Sequence, residues 1–149
     1  MHIGVTVSDM DRSIAFYRDV LGLKFTGELL MQDAATDRLF ARRGVKARVA
    51  YLCGTDDIAG PPVELIAFVD ENGADPQKAP AQLTRIGISE ICFEVSDIDA
   101  VYRKLVHAGV ECLSEPQTFD FTGDGFGRSK AIYFRDPDGI ILELMQSLN

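Results

Sequence analysis

The chain states one pattern twice. The opening "HIGVTVSDMD", residues 2–11, returns 88 positions later as "EICFEVSDID", residues 90–99, with the apolar alternation and the Val-Ser-Asp step intact. An internal repeat limits the fold more than any composition can, because each copy has to take the same supersecondary form and bury its apolar face beside the other. In the first copy Ile3, Val5 and Val7 fall on one face of a strand and His2, Gly4 and Thr6 on the other; in the second, Ile91, Phe93 and Val95 oppose Glu90, Cys92 and Glu94. Two polar-lined strand faces result.

Each strand runs into a helix start. Ser8 with Asp11, and Ser96 with Asp99, have the Ser-x-x-acid spacing that satisfies orphan N–H groups and complements the helix dipole. Met10, Ile14, Tyr17 and Val20 or Leu21 follow helical spacing, as do Ile98, Val101 and Leu105, and Gly22 and Gly109 stand where a left-handed cap ends a helix. Strand-like stretches follow: "LKFTGELL", "ARVAYLC" and "PVELIAFV" in the first half, "VECLSEP", "SKAIYFR" and "IILELMQ" in the second. The unit is βαβββ, used twice. In "RDPDGIILEL" Pro137 presets a turn and Gly139 accepts a positive φ, which sets the register of the last strand and the direction of Glu143. Residues 70–84, "DENGADPQKAPAQLT", read as a linker. The expectation is a single α+β domain over 1–149, with modules at 1–69 and 85–149 pairing into a cupped mixed sheet around one cleft, since one unit of about 65 residues buries only a modest core.

Composition narrows the function. A net charge of -8 argues against the nucleic-acid backbone and anionic membrane surfaces, and leaves a small-molecule substrate as the expected partner. No apolar run approaches the roughly 20 residues of a membrane span, and no basic region followed by an apolar stretch opens the chain, so a cytoplasmic location is expected. Cys53, Cys92 and Cys112 lack CxxC spacing and read as reduced thiols.

A carboxylate in the middle of an apolar strand is costly unless it is paired or bound to a cation. It occurs here at Glu64 in "PVELIAF" and again at Glu143 in "IILELMQ". With His2 and Glu90 at matching first-strand positions, the chain offers four ligand-type residues, two per repeat.

The strings "HIGVTVSDMDRSIAFYRDVLGL" and "FRDPDGIILELMQ", joined by the doubled βαβββ pattern, resemble the vicinal oxygen chelate superfamily over nearly the whole chain. That superfamily includes glyoxalase I, methylmalonyl-CoA epimerase, extradiol dioxygenases, fosfomycin-modifying enzymes and bleomycin-resistance proteins. The resemblance implies a homodimer and a divalent ion held by one first-strand and one last-strand residue of each module, here His2, Glu64, Glu90 and Glu143. It also implies lyase or isomerase chemistry that begins with proton abstraction next to a carbonyl, with Glu143 the first candidate base and Glu64 the second. Glu90 departs from the His common at its position. One imidazole and three carboxylates place about three negative charges around the ion, lower its Lewis acidity and favour harder ions such as manganese or iron, while affinity order alone favours nickel or zinc, so manganese, iron, nickel, zinc and cobalt all stay open. Two alternatives stand beside this reading: an extradiol-type dioxygenase, which ordinarily wants a second His, and a metal-free protein that binds a drug or antibiotic.

Three further residues are candidates for substrate contact. Cys92 shares the strand face of Glu90, Arg38 opens a basic run with Arg42, Arg43, Lys46 and Arg48 that could steer an anion, and Phe126 sits in "TGDGFGRS", read as a flap. His107 reads as a helix-end cation rather than a ligand.

Overall fold

The computed structural model describes residues 1–75, 82–84 and 86–148. The fold is α+β, with two sheets of mixed strands. The first half gives β1 (Ile3–Thr6), α1 (Met10–Ala15) running on into a π-helical turn (Phe16–Val20), β2 (Lys24–Met31), α2 (Ala34–Leu39), β3 (Ala47–Cys53), β4 (Ile58–Ala59) and β5 (Val63–Phe68). The second gives β6 (Ile91–Val95), α3 (Ile98–His107), β7 (Gln117–Phe121), β8 (Gly127–Arg135) and β9 (Ile141–Ser147).

The duplication in sequence is a duplication in topology. One sheet has the order β1-β5-β3-β2 and the other β4-β6-β9-β8-β7. In each, the first strand lies parallel to the last, which pairs antiparallel with the strand before it. The helices start one residue later than the Ser-x-x-acid spacing suggests: Asp9 accepts from the Arg12 N–H and Asp97 from the Ala100 N–H, so the carboxylates cap both helices. Ser8 is instead drawn to Asp138 at the far end of the chain, donating to it from both N–H and hydroxyl. Gly22 and Gly109 take the positive φ expected of them, 96° and 72°.

Three expectations change. The strand placed on "VECLSEP" is a single bridge between Cys112 and Phe134, and the ladder partner of β8 is the next stretch, "QTFDF". The basic run is helical at its start, because Asp33 accepts from the N–H and hydroxyl of Thr36 and caps α2. Among the described residues the halves do not share one ladder through their first strands: β1 is an edge of its sheet, and the outer side of β6 pairs with β4 at Val95 and Glu94. Of the expected linker 70–84, residues 76–81 lie outside the described residues.

What joins the halves is a common core. Val5, Tyr17, Leu52 and Leu65 from one half pack in one cluster with Phe93, Ile98, Phe134 and Leu144 from the other. Tyr17 crosses between them, its buried hydroxyl donating to Asp136 at 3.0 Å. Beside it Arg12 reaches Asp138 at 3.0 Å.

Candidate functional site

Strand alternation builds the site. On β5 the side chains of Val63, Leu65 and Ala67 enter the core, so Glu64, Ile66 and Phe68 take the opposite face. On β9 Leu142 and Leu144 are buried and Glu143 and Met145 face away from them. The registers then repeat. Glu64 lies opposite Gly4 of β1 and Tyr51 of β3, and Glu143 lies opposite Cys92 of β6 and Tyr133 of β8.

In the first half Glu64 is held from two sides. The Tyr51 hydroxyl donates to Oε1 at 2.5 Å, and His2 Nε2 stands 3.1 Å from Oε2. Donation to the carboxylate pushes the Tyr51 phenol pKa up, and burial adds to the shift. In the second half Glu143 is half-buried, and burial raises its pKa, with the charge of Glu90 adding to the rise and a hydrogen bond from Cys92 opposing it. The Cys92 thiol is pushed up to about 12, first by burial and then by Glu143. The raised value keeps the thiol protonated, so it is not a nucleophile at neutral pH. The Tyr133 phenol is also raised, by burial and by the fields of Glu143, Glu90 and Cys92.

The four expected ligands therefore stand as two pairs, His2 with Glu64 and Glu90 with Glu143. Among the described residues no three His, Cys, Asp or Glu side chains are gathered as they would be around an ion. The donors suit a hard divalent ion in kind, but their placement does not compose one site. A cleft of about 390 Å³ borders both first strands, lined by Ile3, Gly4, Thr6, Ile88, Glu90 and Ile140 among others. Arg38 lies on α2 at a surface hollow with Arg42 and Arg43, and Phe126 is 86% exposed at the β7–β8 turn; neither is part of the two groups.

The residues that sequence reasoning missed are Tyr51 and Tyr133. Their signal was present: each lies on the strand hydrogen-bonded to the Glu-bearing strand, and hairpin register alone pairs it with the carboxylate.

The model of the Glyoxalase/Bleomycin resistance protein/Dioxygenase superfamily matches residues 1–144. The chain belongs to that superfamily. Within it, the chain is 29% identical over 149 residues to a 2-epi-5-epi-valiolone epimerase of Actinomyces sp, covering 97% of this chain and 76% of the relative. It is 24% identical over 150 residues to the mitochondrial methylmalonyl-CoA epimerase of Mus musculus, covering 98% and 71%. Among solved structures, a glyoxalase family protein from Bacillus cereus superposes with a TM-score of 0.82 at 21% identity, covering 99% of this chain and 93% of that one, a likeness of fold alone.

Proposed function

We propose that the protein is a lyase or isomerase, acting as a cytoplasmic homodimer, that removes a proton next to the carbonyl of a small oxygenated substrate with Glu143 as base. The observation that carries this reading is the environment of Glu143. A carboxylate whose pKa is raised by burial and by a neighbouring negative charge is a stronger base than one free in water, and its value moves toward the operating pH where general-base transfer is most effective. Glu64, the second candidate, already accepts from Tyr51 on one oxygen and faces His2 with the other, so it is less free to take a proton. The names of two relatives, both epimerases, agree with chemistry at a carbon acid. Three free cysteines suit a reducing compartment.

A divalent ion belongs to this proposal on donor chemistry and charge alone, and the proton transfer is derived without it. The α C–H bond breaks, its proton passes to a Glu143 oxygen, and its electron pair becomes part of the enolate, whose charge rests on the former carbonyl oxygen. Reprotonation of that carbon from its opposite face gives the epimer, and return from the Glu143 face gives back the substrate.

The test is exchange of α-protons for deuterium, followed by proton NMR in D2O over a panel of hydroxyacetone, glyceraldehyde, 2-hydroxy acids and their thioesters. Wild type is expected to exchange at least one of these. Glu143→Gln is expected to lower the rate about a hundredfold or more. Equal rates in the two proteins overturn the assignment of the base, and no exchange across the panel overturns the reaction class.

A further inference from the structure

The sheet face that carries each glutamate runs on past it as a strip, and the two strips differ. Register sets the correspondence. In the first half Tyr51 lies opposite Glu64, and four residues earlier on β3 Ala47 lies between Met31 of β2 and Phe68 of β5. In the second Tyr133 lies opposite Glu143, and four residues earlier on β8 Ser129 lies between Phe119 of β7 and Ser147 of β9. Opposed residues share a face and every second residue returns to it, so all of these lie on the face of the glutamates. Ser147 therefore stands where Phe68 stands in the first half, and Phe119 stands where Met31 stands.

The first strip is covered. Phe40, at the end of α2, meets Phe68 edge to face with 5.3 Å between ring centroids, and with Met31 they pack on Ala47 and Val49, which are buried. The second strip is open. In place of α2 the link from β7 to β8 is one 3₁₀ turn, Thr122–Asp124, and the position of Phe68 holds the hydroxyl of Ser147, 3.2 Å from Glu94. Phe119 and Phe121 border this strip with parallel rings 5.9 Å apart, and they stay 41% and 48% exposed. Apolar surface that the first half buries under Phe40 and Phe68 is left in water in the second.

We propose that the open strip is a substrate subsite, and that it takes an aromatic ring carried on a chain attached to the oxygenated carbonyl. This rests on the reading of Glu143 as the base. The first half is the template: a floor of small side chains, a long apolar side chain along one edge, and a ring laid on the floor. The second half keeps the floor in Ser129 and Ala131 and the edge in Phe119, and lacks the ring. The strip shares its floor strands with Glu143, so its occupant and the reacting carbonyl belong to one molecule. A strand advances about 3.4 Å per residue, which puts the row of Ala131 about 7 Å from that of Glu143 and the row of Ser129 about 14 Å from it. A ring seated between them is about 10 Å from the reacting carbon, the reach of about four methylene groups and the ring itself. Offset or edge contact with Phe119 favours an aromatic ring over an alkyl tail.

The experiment uses the full chain with ¹³C-labelled phenylalanine rings, assigns Phe119 and Phe121 by Phe→Leu variants, and compares 1-hydroxy-6-phenylhexan-2-one with 1-hydroxyhexan-2-one. The phenyl compound is expected to move both resonances saturably and to bind about tenfold tighter or more. Phe119→Ala is expected to lose most of that ratio. Ser147→Phe restores the first half's ring at an exposed position near the end of β9, and is expected to cover the strip and abolish the ratio. Equal affinity for the two compounds, unmoved Phe119 and Phe121 resonances, or a full ratio in Ser147→Phe overturns the inference. So do resonances that move with protein concentration in the absence of either compound, because a second copy then covers the pair. Phenyl-selective binding without α-proton exchange by wild type rejects the proposed reaction and leaves the subsite standing. Exchange of both compounds with equal affinities rejects the subsite and leaves the reaction.

Discussion

Tyr17 and Asp136 show how a single contact joins the two copies of the repeat. The phenol is buried on the π-helical turn after α1, and its hydroxyl donates to a carboxylate that also accepts from the N–H groups of Asp138 and Ile140. Tyr17→Phe keeps the ring and removes one donor from a buried carboxylate, so it is expected to lower unfolding stability by about 1–3 kcal/mol in urea denaturation. A loss within error would mean that water replaces the hydroxyl. The same carboxylate gives a pH dependence. Burial holds the Asp136 pKa above the ordinary aspartate value, outweighing the donors that lower it. The folded chain therefore keeps this proton to higher pH than the unfolded one. The resulting stabilisation is complete below the ordinary aspartate value and is lost as pH rises through the folded pKa. Asp136→Asn does not titrate, so the melting temperature of wild type is expected to fall relative to the variant as pH rises from about 4. A difference independent of pH would show that Asp136 does not carry the shift.

At the scale of elements, β4 is a two-residue strand with a large consequence. It carries chain from the first half onto β6 of the second, and the glycines on either side permit it. A Cβ on Gly60 would overlap the edge of the Phe93 ring, and one on Gly54 would come within 2.7 Å of the Ile58 carbonyl oxygen. Gly60→Ala should cost about 1–3 kcal/mol by overpacking at the seam between halves, read as a lower urea midpoint with an unchanged slope. β4 also marks where the sequence stops being legible. The strand faces of residues 2–7 and 90–95, the helix ends at Gly22 and Gly109, and the side of β5 and β9 on which Glu64 and Glu143 lie all follow from period and turn chemistry. Those signals are local. The pairing of Ile58 and Ala59 with β6 is not, because two residues carry no period and their partner lies in the other half. β7 was displaced for a related reason: "VECLSEP" and "QTFDF" both read as extended, and the choice between them is made by which one pairs with β8. α2 was hidden by reading Arg38 as the start of a charged loop while the Asp33 cap went unweighed.

For the molecule as a whole, charge decides what the two half-sites can do together. The chain carries a net charge of -8, and Glu90 already raises the Glu143 pKa across a half-buried face. Glu90 and Glu143 repel one another, and a divalent cation is the species that would relieve that repulsion. Binding to the folded chain alone has to raise its stability, by about 2.7 kcal/mol when the free ion stands at a hundred times its dissociation constant. For a chain of this size that corresponds to a rise of about 5–10 °C in Tm. Manganese, iron, nickel, zinc and cobalt, each added at millimolar concentration to protein stripped with EDTA, are expected to raise Tm in at least one case. Glu90→Gln should reduce that rise, and His2→Ala should reduce it as well, because the two variants remove one donor from each pair. The pair of variants matters. A rise lost only in Glu90→Gln places the ion in the second half alone, with Glu143, and leaves His2 and Glu64 as a hydrogen-bonded group with Tyr51. A Tm that does not move with any of the five ions removes the metal from the proposal and favours a protein that binds its ligand through the isoleucine-lined cleft, where proton abstraction, if it is found, would depend on Glu143 and hydrogen-bond donors alone.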